Sequence, residues 1–442
     1  MQMTINIVGG GLAGCECAYF LAEHGIKVNL YEMKPKKFSP AHHSKNLAEI
    51  VCSNSLKNTD VLTSSGLLKY EMETIGSLIL KVAKNNQVPA GGALAVDRDK
   101  FSTEITRIIN EHKNITILNQ EITDIDIKTD DIWVFATGPL TSDKLNANIQ
   151  KMLGFDNLHF YDASAPIVTK ESLDLNKCFK QNRYGEAGEG DYLNAVLTKD
   201  EYYNFVNELI NAEVVQLHSF EKAEIFEGCM PIEVMAQRGI DALRFGPMKP
   251  TGLNKNSLGV KPYAVVQLRK ENTEEETFNM VGFQTNLKFG EQKRVFSLIP
   301  AFKNAEFIKY GVMHKNTFIC APKCLNIDYS LRANPNIYFA GQLSGVEGYV
   351  ESTASGLIVA ISIYLKLHNR VLQLNNKTMI GAIAGYISNP SNASNFQPMN
   401  SNYGIIGAVD GKFYKKEDKR QAIFDRSKVE IQKLKEIIES GD

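Results

Sequence analysis

Residues 4 to 32, TINIVGGGLAGCECAYFLAEHGIKVNLYE, read as strand, glycine turn, helix, second strand and terminal acid. This unit constrains the fold more than any other stretch, because its glycines leave the backbone few alternatives. Thr4 to Val8 form a short apolar run with β-branched residues, and Gly9, Gly11 and Gly14 supply the G-x-G-x-x-G spacing. The first glycine allows a tight turn, the second lets backbone approach a pyrophosphate, and the third lets the helix that starts near Leu12 pack on the strand. Gly10, Leu12 and Ala13 complete the turn. Phosphates would sit on the helix N-terminus, where free N–H groups and the helix dipole favour negative charge. Glu32 follows Gly14 by 18 positions and ends the second strand, where a carboxylate meets a ribose hydroxyl. The expectation is a bound dinucleotide, and α/β architecture follows from it.

At 442 residues the chain is long enough for two or three domains. Apolar residues at 43% and charged residues at 22% are globular values, and a net charge of −1 excludes a uniformly basic nucleic-acid binder while leaving room for a local basic patch. The chain opens directly into its first strand without the features of a signal peptide, and no run reads as a membrane span. Seven cysteines in so long a chain do not form a disulfide framework and point to a reducing cytoplasm. The sequons at Asn114 and Asn392 carry little meaning there.

After Glu32 comes a loop with lysines and prolines, then a polar stretch around Cys52. Leu67, Leu68, Met72, Ile75, Ile79 and Val82 fall at helical spacing and predict one long core-facing helix. VPAGGALAVDR follows, with Gly91 and Gly92 permitting close backbone approach, and Phe101, Ile105, Ile108 and Ile109 mark a further amphipathic helix. ITIL at 115 to 118 and DIWVFATGP, ending at Pro139, read as strands, the second closing on Gly138 at its ligand-binding end. From about 150 to 320 the texture changes to aromatic-rich strands such as YAVVQLR, with a helix opened by a capping box of Thr198 and Glu201. Near the end, NIYFAGQLSGVEGYVESTASG returns to the strand, glycine and helix pattern. The predicted division is a discontinuous dinucleotide-binding domain over 1–148 and 322–442 and an inserted α+β domain over 149–321. SNPSNASNFQPMNSN, 388 to 402, reads as a polar, mobile loop, and Val429, Ile431, Leu434, Ile437 and Ile438 mark a final amphipathic helix.

Cys52, in EIVCSNSL, and Cys229, in FEGCMP, lie among small or turn-favouring residues and read as loop thiols open to chemistry. Cys15 and Cys17 read as packing residues of the first helix, and Cys178, Cys320 and Cys324 as structural. Cys320 and Cys324 lack a second ligand pair, so no structural metal is expected. His42, His43 and His314 are candidates for substrate contact. Lys57, Arg98, Arg183, Arg244, Lys249, Arg269, Lys288, Lys293 and Arg294 could together line an RNA groove through phosphate contacts.

The two later glycine segments, ATGP with Gly138 and FAGQLSGVEG with Gly341 and Gly348, are similar to those of glutathione-reductase-like flavoproteins. That resemblance implies a glutathione-reductase-like, Rossmann-type domain binding FAD. Together with GGGLAG, YEMKP, PAHHS, VCSNSLK, FEGCMPIEVMA, FGPMKPTGL, VGFQTNLKFGEQKRVF and YGVMHKNT, the chain resembles the folate- and FAD-dependent tRNA uracil-5 methyltransferases (TrmFO family) from its first strand to about residue 365. The resemblance implies 5,10-methylenetetrahydrofolate as carbon donor, NADH or NADPH as reductant, and uridine 54 of the tRNA T-loop as target, with formation of 5-methyluridine. It assigns Cys52 as nucleophile toward uracil C6 and Cys229 as proton acceptor or second nucleophile, without fixing their order. Ala195 in YLNAVL, the cysteines of HKNTFICAPKCL, and Cys15 and Cys17 depart from the family pattern. These departures leave a uridine of 23S rRNA as an alternative target. A small-molecule FAD oxidoreductase is the other alternative, and it would need a redox pair such as C-x-x-C.

Overall fold

The computed structural model describes residues 4–156, 158–185, 189–215, 230–253 and 258–440. Two sheets organise it. In the first, the strands run in the order Ser330–Leu331, Asn334–Phe339, Trp133–Phe135, Thr4–Val8, Lys27–Tyr31, Ile115–Leu118. The last five of these pair in parallel, and Ser330–Leu331 closes the edge antiparallel. Chain order reverses beside Thr4–Val8, since its sequence successor Lys27–Tyr31 lies on one side and Trp133–Phe135 on the other. Open α/β sheets bind ligands at the carboxyl end of such a switch point. The second sheet is antiparallel, in the order Cys178–Lys180, Tyr192–Leu197, Ala264–Lys270, Thr277–Met280, Ile167–Thr169, Phe307–Lys309. It carries its own hydrophobic core, with helix Lys199–Ile210 opened by the expected capping box. The expected α/β class, a Rossmann-type sheet with an inserted α+β unit, is therefore borne out. A two-stranded ladder of Leu158–Ala163 against Met313–Phe318 joins the outgoing and returning chain.

Helix Leu12–Glu23 is buried on nearly every side against helix Tyr349–Leu367. The contact is backbone to backbone, because a Cβ at Gly356 would lie 2.2 Å from Ala13 O. Tyr349–Leu367 has the length and hydropathy of a membrane span, which the sequence reading missed, but 89% of that stretch is buried in the protein. Its apolarity serves the core between the first sheet and the C-terminal helices.

Three expectations are corrected. The long helix across Leu67 and Val82 is two helices, Ser64–Ile75 and Leu78–Asn85. Gly76 ends the first in the left-handed region at φ +110°, and Ser77 caps the second by accepting from Leu80 N. The segment 388 to 402 is strapped to the protein rather than loose. Phe396 is buried, Met399 pairs with Val346, and Ser401 donates to Glu351 through both its N–H and its hydroxyl. In the final helix, Lys416–Glu439, the buried seam is Ile423, Ser427, Ile431, Leu434 and Ile438, while Val429 and Ile437 are 55% and 41% exposed. That seam keeps the 3.6-residue period, and the other two side chains fall off it.

The tight crossing of the two buried helices predicts that Gly356→Ala destabilises the protein by about 1–3 kcal/mol through overpacking. A thermal melt checks this. The midpoint should fall by several degrees, and an unchanged midpoint would refute the close-contact reading.

Candidate functional site

A cleft opens at the carboxyl ends of Thr4–Val8 and Trp133–Phe135, lined by Gly9 to Ala13, Glu32, Gly138, Gly341 and Tyr349 among others. A Cβ on Gly9 would meet Ala136 O at 2.5 Å, and one on Gly14 would meet Gly9 O at 1.9 Å. Those glycines are needed by the protein's own packing. At Gly11 an added Cβ would meet no protein atom within 4 Å, so the space beside it is left for a ligand. Gly11 also precedes a helix start with no side-chain cap, which leaves first-turn N–H groups facing the cleft.

Glu32 is buried in the cleft wall, where Oε2 accepts from Gly10 N at 2.8 Å and Oε1 from Lys34 N at 2.9 Å. These bonds fix its orientation and leave each oxygen a further lone pair. Gly138 and Gly341 line the cleft with φ near +70°. Gly348 stands apart from the lining. Its φ is +112°, and a Cβ there would lie 2.3 Å from Glu351 Oε2 and 2.8 Å from Lys57 Nζ. It makes room for that ion pair and turns the chain so that the next residue, Tyr349, enters the cleft.

Tyr349 is the residue that sequence reasoning missed. Its hydroxyl accepts from Val51 N at 3.2 Å and Cys52 N at 3.0 Å and lies 2.9 Å from Cys52 Sγ. Ser53 N donates to the same oxygen at 3.4 Å, and with the hydroxyl accepting from backbone its own hydrogen is left for the sulfur, where it favours the thiolate. Burial pushes the Cys52 thiol up to about 12, nearby Asp162 adds to the shift, and Tyr349 and Arg98 act against it. The resting side chain is a thiol whose ionisation is held in check by its surroundings.

The Cys52 loop is gripped from the second sheet as well. Arg269 Nε donates to Asn54 Oδ1 at 2.7 Å and its Nη2 to Ser53 Oγ at 2.8 Å. Asn54 Nδ2 donates to Lys270 O at 2.9 Å, Lys309 Nζ to Val51 O at 2.9 Å, and Arg98 Nη1 to Ile50 O at 2.8 Å. Arg98 also forms a two-pronged ion pair with Glu271. Acids gather on the other side of the loop. Burial, helped by Asp162, raises the Glu347 carboxyl to about 8, while Gln342 donates to its Oε2 at 2.7 Å. Burial also disfavours ionised Glu351, but the Lys57 ion pair at 2.8 Å and Ser401 outweigh it and hold the carboxyl below its usual range.

The other predicted residues disperse. His42 lines the cleft and contacts Ser39 Oγ, with its pKa lowered by burial and by Lys34. The His314 pKa is lowered by burial and then by Lys309. Arg98 and Arg269 are taken up internally, Arg183 bonds Gln267 and the carbonyls of Lys249 and Thr251, and Arg244 stacks on Tyr263 with 3.7 Å to the ring centre. Lys288 pairs with Glu213, and Arg294 with Glu208 and Glu291. Lys293 is exposed on the same helix. Arg98 and Arg269 are therefore structural cations rather than surface ones. Cys15, Cys17, Cys178, Cys320 and Cys324 are buried, and burial raises the pKa of each. Cys229 lies outside the described residues.

The parallel sheet, its switch-point cleft and the glycine turn define a dinucleotide-binding protein of the doubly wound α/β class. A family model described as Glucose inhibited division protein A matches residues 4–371. A protein of Acetivibrio thermocellus named Methylenetetrahydrofolate--tRNA-(uracil-5-)-methyltransferase TrmFO is 51% identical over 436 residues, 98% of each chain. Proteins of the same name from Natranaerobius thermophilus and Staphylococcus aureus (strain Newman) are 52% identical over 438 residues and 49% identical over 428. These cover 99% of this chain and 99% of the former relative, and 97% of this chain and 98% of the latter. The solved structure of Aquifex aeolicus GidA in its form I crystal shares the fold, with a TM-score of 0.70 at 13% identity over 98% of this chain and 76% of that one. The chain belongs to the glucose inhibited division protein A family and, within it, to the TrmFO family.

The thiol's surroundings predict its reactivity. A thiol held near 12 is almost wholly protonated at neutral pH, so alkylation of the Cys52 peptide by iodoacetamide, followed by mass spectrometry, should keep accelerating past pH 10. Tyr349→Phe removes the hydrogen bond that favours the thiolate and should slow the reaction at every pH. A plateau near pH 8 would contradict the assignment.

Proposed function

We propose that the protein is a folate-dependent tRNA (uracil-5-)-methyltransferase that forms 5-methyluridine, with FAD as resident cofactor, methylenetetrahydrofolate as carbon donor and NADH or NADPH as reductant. The observation that carries the reading is Cys52, a loop thiol placed beside a dinucleotide cleft by Tyr349, a residue of the cleft wall. Relatives of that name at about half identity along the whole chain support it. The cleft fits FAD by its own geometry, since the open space beside Gly11 and the uncapped helix start suit a pyrophosphate and the fixed carboxylate of Glu32 suits a ribose. Gly9, Gly10, Gly11, Leu12, Ala13, Gly14 and Glu32 would hold the adenosine diphosphate half, with Gly138 and Gly341 on the facing walls and Gly348 shaping the approach of Tyr349. When bound, FAD supplies the electrons that convert a transferred one-carbon unit into a methyl group.

The protein's own residues prepare the uracil. Its C5 is a weak nucleophile until a thiolate adds to C6, which gives C5 enolate character. Cys52 is the nucleophile in this proposal. Tyr349 donates to the sulfur as charge develops, and Arg98 adds a favourable field, while burial, with Asp162 adding to it, keeps the resting thiol protonated. Cys229 is proposed to take the C5 proton or to act as a second nucleophile. Uridine 54 of the tRNA T-loop is the proposed target, and the cytoplasm the proposed location.

Incubating the enzyme with labelled methylenetetrahydrofolate, NADPH and RNA from cells lacking it tests the reading. Label should appear in tRNA as 5-methyluridine in the T-loop, whereas label in 23S rRNA or in no RNA would overturn the target or the activity. Cys52→Ser and Cys229→Ala should each reduce transfer to background while the protein stays yellow. Gly11→Val should lose the flavin by filling the space left beside the turn, and a fully loaded variant would refute the cofactor assignment.

A further inference from the structure

The second sheet ends in the strand Phe307–Lys309, paired on one side with Ile167–Thr169. Three aromatic rings line up beside it. Phe307 and Tyr310 stack with centroids 5.6 Å apart and planes 16° apart, and Tyr310 and Phe289 with 5.1 Å and 17°. Inward, Phe307 packs on the fully buried Phe296 at 6.2 Å. The ladder thus starts in a hydrophobic core and ends in Phe289, which is 56% exposed, with Ile308 54% exposed alongside. Near-parallel rings that finish in solvent present a flat face suited to another planar ring, rather than a groove suited to a side chain or a helix.

The ladder adjoins the candidate site. Lys309, between Ile308 and Tyr310, donates to Val51 O at 2.9 Å, one residue before Cys52. That bond ties the ladder's strand directly to the loop that carries Cys52. A uracil must leave its base stack before a thiol can reach C6, and the neighbouring base then loses a stacking partner.

We infer that Phe289, Tyr310 and Phe307 form a stacking platform for an unpaired RNA base next to the target uridine. The inference rests on the RNA-methylating reading above and deepens it. An exposed ring that stacks on every substrate lowers affinity when removed, whatever the base, because each base offers a π-face.

The full-length, flavin-loaded enzyme tests it through Phe289→Ala and Phe289→Trp, with tRNA binding, methylation kinetics, NADPH oxidation and sedimentation measured together. Phe289→Ala should raise both Kd and KM for tRNA by roughly 5- to 100-fold. Its kcat at saturating tRNA, its NADPH oxidation and its thermal midpoint should match wild type, and Phe289→Trp should restore affinity. Wild-type tRNA affinity in Phe289→Ala would overturn the platform while leaving the methyltransferase reading intact. Unchanged tRNA affinity with an altered oligomeric state would assign the face to a second copy of the chain and overturn it equally. If the wild-type enzyme itself neither binds nor methylates tRNA, the underlying reading falls and the platform with it.

Discussion

The fork of Arg269 on Asn54 and Ser53 is the interaction on which the site depends most. Ile50 to Asn54 belong to no helix or strand, so nothing within that loop determines where Cys52 points. Its position is imposed from two sides, by Tyr349 at the start of a helix packed on the first sheet and by Arg269, Lys309 and the carbonyl of Lys270 from the second. Arg269 is buried, and burial makes its charge costly, so the fork works only while both partners stay in place. The ion pair of Arg98 with Glu271 crosses the same junction and holds the loop through Ile50 O. Two sheets with separate hydrophobic cores are thus tied together at the loop that carries Cys52.

The same arrangement separates cofactor binding from chemistry. The glycine turn, Glu32 and the uncapped helix belong wholly to the first sheet and would hold a dinucleotide in any protein of this class. What distinguishes this chain is the loop added between the first sheet's strands and locked by residues more than 200 positions away. Burial, with Asp162 and Glu347 adding to it, opposes ionisation of Cys52, and Tyr349 and Arg98 act the other way.

Much of this was legible in the sequence wherever geometry is local. The strand, turn and helix of residues 4 to 23 follow from steric demands between near neighbours, and the structure places Gly9 and Gly14 where a side chain would collide with backbone. The capping box at Thr198 is equally local. Gly76 and Ser77 were also local signals, a left-handed stop followed by a cap, but the apolar period running through them masked the break. Contacts between distant segments were not legible. Ser401 reads as one polar residue among many until it is found on Glu351, and Arg98 and Arg269 read as surface cations because the sequence does not reveal Glu271 and Asn54 as their partners. Tyr349 stood in plain view after Gly348, and only the cleft's geometry shows that it reaches Cys52.

The central claim is that placement of Cys52 across the junction, and not the dinucleotide cleft alone, produces methyl transfer. Arg269→Lys tests it most directly, since lysine keeps the charge and loses the two-pronged fork. Single-turnover methylation should fall by about 10²-fold, the cost of a displacement of about 1 Å in a reacting group, with flavin content and tRNA affinity unchanged. A variant that keeps the wild-type rate would contradict the account.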